Sequence, residues 1–288
     1  MSKPVDHQVD GFTRYRIDLA YDGTAYWGFA EQKRLRTVQG ELLKALTTIF
    51  GKSKNAFEMR VAGRTDAGVH ATGQVVHIDL TEKQLKRLGR TVGMMGSLND
   101  LLPEDIRVHS VTEAPEGFDA RYSASYRRYR YTIADRPAPK NPLLARSTLW
   151  IKHELDLVAM QAAALGLVGL HDYASFCRPK AGATTIREVK ELTVKRNPAA
   201  GNVIEVEIKA DAFCHNMVRA IVGALIAAGE GKTNAEGVAK TLARRSRKGS
   251  FKVQPPHGLV LIEVGYPPNS ELAAQAEMAR AMRTLDEN

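Results

Sequence analysis

Two periodicities take turns along this chain, and their order restricts the fold more than any single residue does. Arg14 to Ala20 alternates polar and apolar residues and runs into Tyr21-Asp22-Gly23-Thr24, a strand meeting a turn. Val38 to Phe50 puts Val38, Leu42, Leu43, Leu46 and Ile49 at helical spacing. Strands are expected over Ala56 to Val61 and Gln74 to Leu80, then a weaker helical pattern over Glu82 to Leu98 and a closing strand at Ile106 to Val111. The order is β-α-β-β-α-β, and the second half repeats it. Its elements are a strand at Arg127 to Ala134, a helix at Leu155 to Leu167, a hairpin of Ile186 to Lys195 with Val203 to Ala210, a helix at Met217 to Ala228 and a strand at Gly258 to Val264. The fold class is α+β: two ferredoxin-like (RRM-like) βαββαβ halves with antiparallel sheets, joined around a central cleft. Residues 1–112 form the first half, 113–268 the second and 269–288 a tail. Asp135 to Asn141, rich in proline and charge, reads as a surface loop. Glu271 to Asn288 reads as a frayed tail sooner than as a short helix built on Leu272, Ala276, Met278, Met282 and Leu285.

Composition narrows the partners. A chain 44% hydrophobic and 25% charged is an ordinary soluble globular one. Its most apolar stretch, Met217 to Gly229, contains Arg219 and is shorter than the roughly 20 residues a bilayer requires, so no membrane segment is expected. Met1 to Thr13 lacks the apolar run of a secretory leader. The two cysteines, Cys177 and Cys214, form no CxxC motif. Neither a disulfide framework nor a cysteine-based zinc site is expected, and a reducing cytoplasm fits. A net charge of +9 favours a polyanionic partner.

Three clusters could carry chemistry. The first is Gly63-Arg64-Thr65-Asp66-Ala67-Gly68-Val69-His70, with Gly73 and Gln74 following, a glycine-punctuated loop between two strands. Asp66 is either a reactive carboxylate displayed on a rigid loop or a turn residue capping its own backbone. After Gln74, Val76, Ile78 and Leu80 alternate with Val75, His77 and Asp79, the pattern of a half-buried strand. The second cluster is Arg219, set in a stretch apolar on almost every face. A guanidinium there must snorkel outward or meet a fixed anion, and a loop carboxylate such as Asp66 is one candidate. The third is Arg121-Tyr122-Ser123-Ala124-Ser125-Tyr126-Arg127-Arg128-Tyr129-Arg130-Tyr131. Tyr129 and Tyr131 share one face of a strand and Arg128 and Arg130 the other, suited either to RNA bases and phosphates or to ordinary cross-strand pairs. Lys33-Arg34-Arg36, Arg178-Lys180 and Arg244-Arg245-Arg247-Lys248 add basic groups that could track phosphates. Asp66, His70 and His77 match no standard metal-ligand spacing.

Together these residues resemble the tRNA pseudouridine synthase A family, from about Tyr15 to Pro267. The most specific match is Gly63 to His70 with Gly73-Gln74-Val75-Val76-His77. Tyr21-Asp22-Gly23-Thr24, Arg127 to Tyr131, Phe213 to Gly223 and Gly258-Leu259 support it. The chain departs from the family at Gly28-Phe29-Ala30, where Gly-Trp-Gln is usual, so no RNA contact is carried onto Phe29 or Ala30. The resemblance implies an isomerase that turns uridine into pseudouridine in the tRNA anticodon stem-loop, without cofactor or metal, as a homodimer. It makes the central cleft catalytic and Asp66 the catalytic aspartate, with Arg219 its paired arginine. Tyr129 would pack on the target base, and Arg64 would help displace that base from its stack. Two other readings remain: a non-catalytic RNA-binding protein with two RRM-like halves, and a pseudouridine synthase with another RNA target.

Overall fold

The computed structural model describes residues 11–88, 93–179 and 184–281. Residues 89–92 of the Glu82 to Leu98 pattern, Lys180, Met282 and Leu285 lie outside the described residues. The chain divides into two compact units, each α+β. One runs to Ser125 and takes back Leu261–Ala281; the other is Tyr126–Val260.

In the first unit, β1 (Phe12–Tyr21) lies between β4 (Ile106–Glu113) and β3 (His70–Thr81), antiparallel to both, and β10 (Leu259–Gly265) follows β3. Helix α1 (Val38–Phe50) begins where the Thr37 side chain accepts the Gly40 N–H, and it buries Val38, Leu42, Ala45, Leu46 and Phe50. The expected strand over Ala56 to Val61 shrinks to β2 (Arg60–Val61). Ala56, Phe57 and Glu58 all have positive φ, forming a tight turn that drives Phe57 into the core beside Phe50. The weak helical pattern yields α2 (Glu82–Leu88) and α3 (Met94–Leu101).

Strand β3 starts at His70, and both its faces are covered rather than one. The polar face is buried because most of its polar atoms are paired. Arg14 grips Asp79 through Nε and Nη2, both at 2.7 Å, and gives Nη1 to the Phe118 carbonyl. His77 Nδ1 accepts the Ala120 N–H at 2.9 Å. The described part of the tail is a helix sooner than a frayed end: α7 (Leu272–Arg280) buries Leu272 and Ala276, and Arg280 lies over the Tyr122 ring.

In the second unit, β5 (Tyr126–Ala134), β9 (Val203–Ala210), β8 (Ile186–Asn197) and β7 (Gly169–Asp172) are consecutive antiparallel neighbours. The short β6 (Leu149–Trp150) runs parallel to β5. Helices α4 (Leu157–Leu165) and α5 (Met217–Gly229) are near the expected bounds, whereas α6 (Ala235–Ala243), capped by Asn234, was not foreseen. The Asp135 to Asn141 loop is anchored rather than purely superficial. Burial alone would raise the Asp135 carboxyl, but Arg196 on both oxygens and the Leu155 N–H hold it below the usual range.

Cys177 and Cys214 are joined as a disulfide, against expectation, with Cα atoms 5.6 Å apart. The Arg178 N–H donates to the His215 carbonyl, which brings these two distant segments side by side. Among the described residues no helix is long and apolar enough to cross a membrane.

Candidate active site

The Asp66 loop is fixed from several sides. Its own turn closes with the Val69 N–H donating to the Asp66 carbonyl at 3.1 Å, Gly68 taking φ +76°. The buried Tyr21 hydroxyl meets Thr65 Oγ1 at 2.7 Å and accepts Gln74 Nε2 at 3.1 Å. The same amide donates to the Gly63 carbonyl at 2.8 Å. Burial pushes the Tyr21 phenol up to about 12, so it stays a neutral hydroxyl. At the loop's far end, His70 Nδ1 accepts the Gly23 N–H and lies 3.0 Å from an Asp22 carboxylate oxygen.

A second segment braces the loop from outside. The Gly68 N–H donates to the Tyr26 carbonyl and the Phe29 N–H to the Thr65 carbonyl, at 3.2 and 3.1 Å. Between these ties sits Gly28, at φ +97°. A Cβ there would stand 2.8 Å from the Thr65 carbonyl oxygen and 3.3 Å from Asp66 backbone carbon, so only glycine suits the position. Phe29 is fully buried beside Tyr21. It supports the loop from behind.

The result is a loop whose backbone is fixed from several sides. Asp66 is half-buried and Arg64 exposed, and Arg64 has no hydrogen-bond or ion-pair partner among the described residues. The sequence flagged Asp66 and Arg64. It did not show that Tyr21, Gln74 and Gly28 hold them, although the positive-φ tolerance of Gly28 was a signal in hindsight.

In the second unit the Tyr/Arg strand divides as its alternation requires. Tyr129 is 7% exposed, its ring edge-on to Phe213 with centroids 5.1 Å apart. Phe213 lies in a loop without periodicity, and only its place in the family match pointed to it. Tyr131 is fully buried, and its hydroxyl donates to the Pro255 carbonyl. Burial raises its phenol against the opposing pull of the Arg219 cation. Helix α5 is buried on nearly every face, and Arg219 is half-buried within it. Its Nε donates to the Gln254 carbonyl at 2.7 Å, and an Nη1 reaches Asn216 Oδ1 at 3.4 Å.

The basic groups separate into two kinds. On the opposite face of β5, Arg128 meets Glu191 at 3.2 Å, and Arg130 meets Glu207 at 2.7 Å and Glu205 at 3.8 Å, as cross-strand ion pairs. Arg36 lies over the Tyr26 ring, and both contact Asp105. Lys33, Arg34 and Arg178 are exposed, with no such partner among the described residues.

Comparison with known proteins follows the same residues. A family model described as tRNA pseudouridine synthase matches residues 19–123 and 163–267. A Leifsonia xyli subsp. xyli protein named tRNA pseudouridine synthase A is 47% identical over 96% of this chain and 100% of its own. Proteins of the same name from Streptomyces avermitilis and Mycobacterium leprae are 47% and 42% identical, covering 97% and 99% of both partners in each comparison. With most of its length matched by the family model and near-complete alignment to these relatives, the chain belongs to the tRNA pseudouridine synthase A family.

Proposed function

We infer that this protein isomerises uridine to pseudouridine in tRNA, with Asp66 as the carboxylate that acts at the sugar–base linkage. The observation that carries the reading is the braced loop, which fixes the backbone of residues 63–70 with Asp66 half-buried and Arg64 exposed. Excess positive charge suits the polyanionic substrate.

The reaction breaks the C1′–N1 bond, turns the base and joins C1′ to C5; the proton lost from C5 is matched by one taken up at N1, so the product is an isomer of the substrate. It is redox-neutral. A carboxylate can attack the sugar or the base, or steady an oxocarbenium-like sugar, and a carboxylate or water can accept the proton. The base must leave its stack and rotate without escaping. Tyr129, backed by Phe213, holds the base, and Arg64 occupies the position it vacates. Arg219 supplies the cation that orients the reacting groups.

The target lies in the anticodon stem-loop, and the protein acts as a cytoplasmic homodimer. A set of exposed apolar side chains, Val158, Leu165, Val168 and Leu170, supports self-association. Mapping pseudouridine in tRNA from cells lacking the protein, complemented with wild type or Asp66→Asn, tests the reading. Anticodon-arm pseudouridine should return with wild type only. Full restoration by Asp66→Asn removes the assignment; no pseudouridine from the wild type favours a silent RNA-binding protein.

A further inference from the structure

Trp27 is 60% exposed, and its setting distinguishes it from an ordinary surface apolar residue. Both its backbone polar groups are tied down. Its N–H donates to the Arg36 carbonyl at 2.9 Å, and its carbonyl accepts Gln32 Nε2 at 2.7 Å. On either side the chain is bonded to the Asp66 loop, Tyr26 to Gly68 and Phe29 to Thr65. The neighbouring Gly28 stands so close to the Asp66 backbone that a Cβ would touch it. The indole is therefore launched from a fixed backbone beside the acting carboxylate. It has no ring partner among the described residues.

The same loop carries Lys33 and Arg34, both exposed and without partners among the described residues. A large flat ring held on a rigid loop, with cations a few residues on, is the chemistry that binds unpaired nucleotides: a π face for a base and ammonium or guanidinium groups for its phosphates. We propose that Trp27 is a stacking platform for an unstacked tRNA base next to the uridine at Asp66. The proposal rests on the isomerase reading. It assigns substrate positioning, not chemistry, to Trp27.

The test uses the full chain and an unmodified tRNA transcript. Trp27→Ala should raise KM and Kd for tRNA roughly tenfold, the usual size of a base–aromatic stack, with kcat and the melting temperature nearly unchanged; Trp27→Phe should recover most of the binding. The chain has two tryptophans, so in Trp150→Phe protein the emission reports on Trp27 alone. Saturating tRNA should quench that emission and shield it from acrylamide. If Trp150→Phe protein binds tRNA and forms pseudouridine with unchanged emission and quenching, or if Trp27→Ala keeps the wild-type KM, the stacking role falls and the isomerase reading stands. If wild-type protein forms no pseudouridine, that reading falls and the proposal with it.

Discussion

Arg219 and Gln254 hold each other twice. The Gln254 N–H donates to the Arg219 carbonyl at 3.1 Å, and the Gln254 carbonyl accepts Arg219 Nε at 2.7 Å. The second bond fixes the plane of the guanidinium, because Nε lies within that plane and is now spoken for. A lysine has one terminal ammonium and no second nitrogen to anchor it. Arg219→Lys should therefore lower kcat by about a hundredfold or more, the typical loss of one preorganised charged donor, with little change in melting temperature. Gln254→Ala keeps the backbone carbonyl and should retain most activity. Equal losses in both variants, measured by single-turnover kinetics, would mean that the glutamine side chain matters and the clamp does not.

Gly28 offers a test of the brace that avoids the acting residue. Gly28→Ala combines a positive φ with a collision against the Thr65 carbonyl, and Thr65 backbone cannot swing away without breaking the Phe29 N–H bond. The expected cost is about 1–3 kcal/mol of local strain, expressed as displacement of the Asp66 loop. Turnover should fall at least tenfold while tRNA affinity changes less. Unchanged kcat with a normal melting curve would show that the loop tolerates the shift.

Much of the framework was legible because long, strongly periodic segments have few alternatives. Val38–Phe50 and Val203–Ala210 were bounded from their spacing to the residue. Failures came where tertiary contacts decide. Ala56, Phe57 and Glu58 look extended in sequence, but burying Phe57 forces a positive-φ turn. The polar face of β3 looked solvent-facing because the partners of Asp79 and His77, namely Arg14 and the Ala120 N–H, are about 40 or more residues distant in sequence. At the site, alternation separated Tyr129 from Arg128 and Arg130, yet nothing local revealed Phe213 or the Gln254 carbonyl. These are contacts between segments with no shared period.

His77 gives the protein an acid limit. Its Nδ1 accepts the Ala120 N–H, and its buried Nε2 finds no partner among the described residues. Burial, and then the Arg14 cation, lower its pKa to about 4, against the opposing pull of Asp119 and Asp79. The folded form binds its proton later than the unfolded chain does. The stabilisation is thus complete above pH 6.5 and drains away as pH falls toward 4, by about 3 kcal/mol if His77 acts alone. Urea melts between pH 7 and 4 should show this slope in wild type, and it should be much flatter in His77→Gln. An equal slope in the variant would assign the acid sensitivity to the carboxylates instead.

The division of the basic residues predicts which of them meet phosphate. Among the described residues Lys33 and Arg34 have no carboxylate partner to leave, whereas Arg130 would have to give up Glu207 and Arg128 would have to give up Glu191. Each phosphate contact releases counterions on binding, so its removal lowers the dependence of log K on log salt by about one. Lys33→Ala and Arg34→Ala should each reduce the slope by that amount and weaken tRNA binding. Arg130→Ala should leave the slope near the wild-type value and chiefly affect stability, by up to about 1 kcal/mol for a partly exposed pair. Filter binding over a salt series separates the two classes. If Arg130→Ala changes the slope as much as Arg34→Ala does, the outer face of β5 is an RNA surface in its own right, and its ion pairs open to bind the substrate.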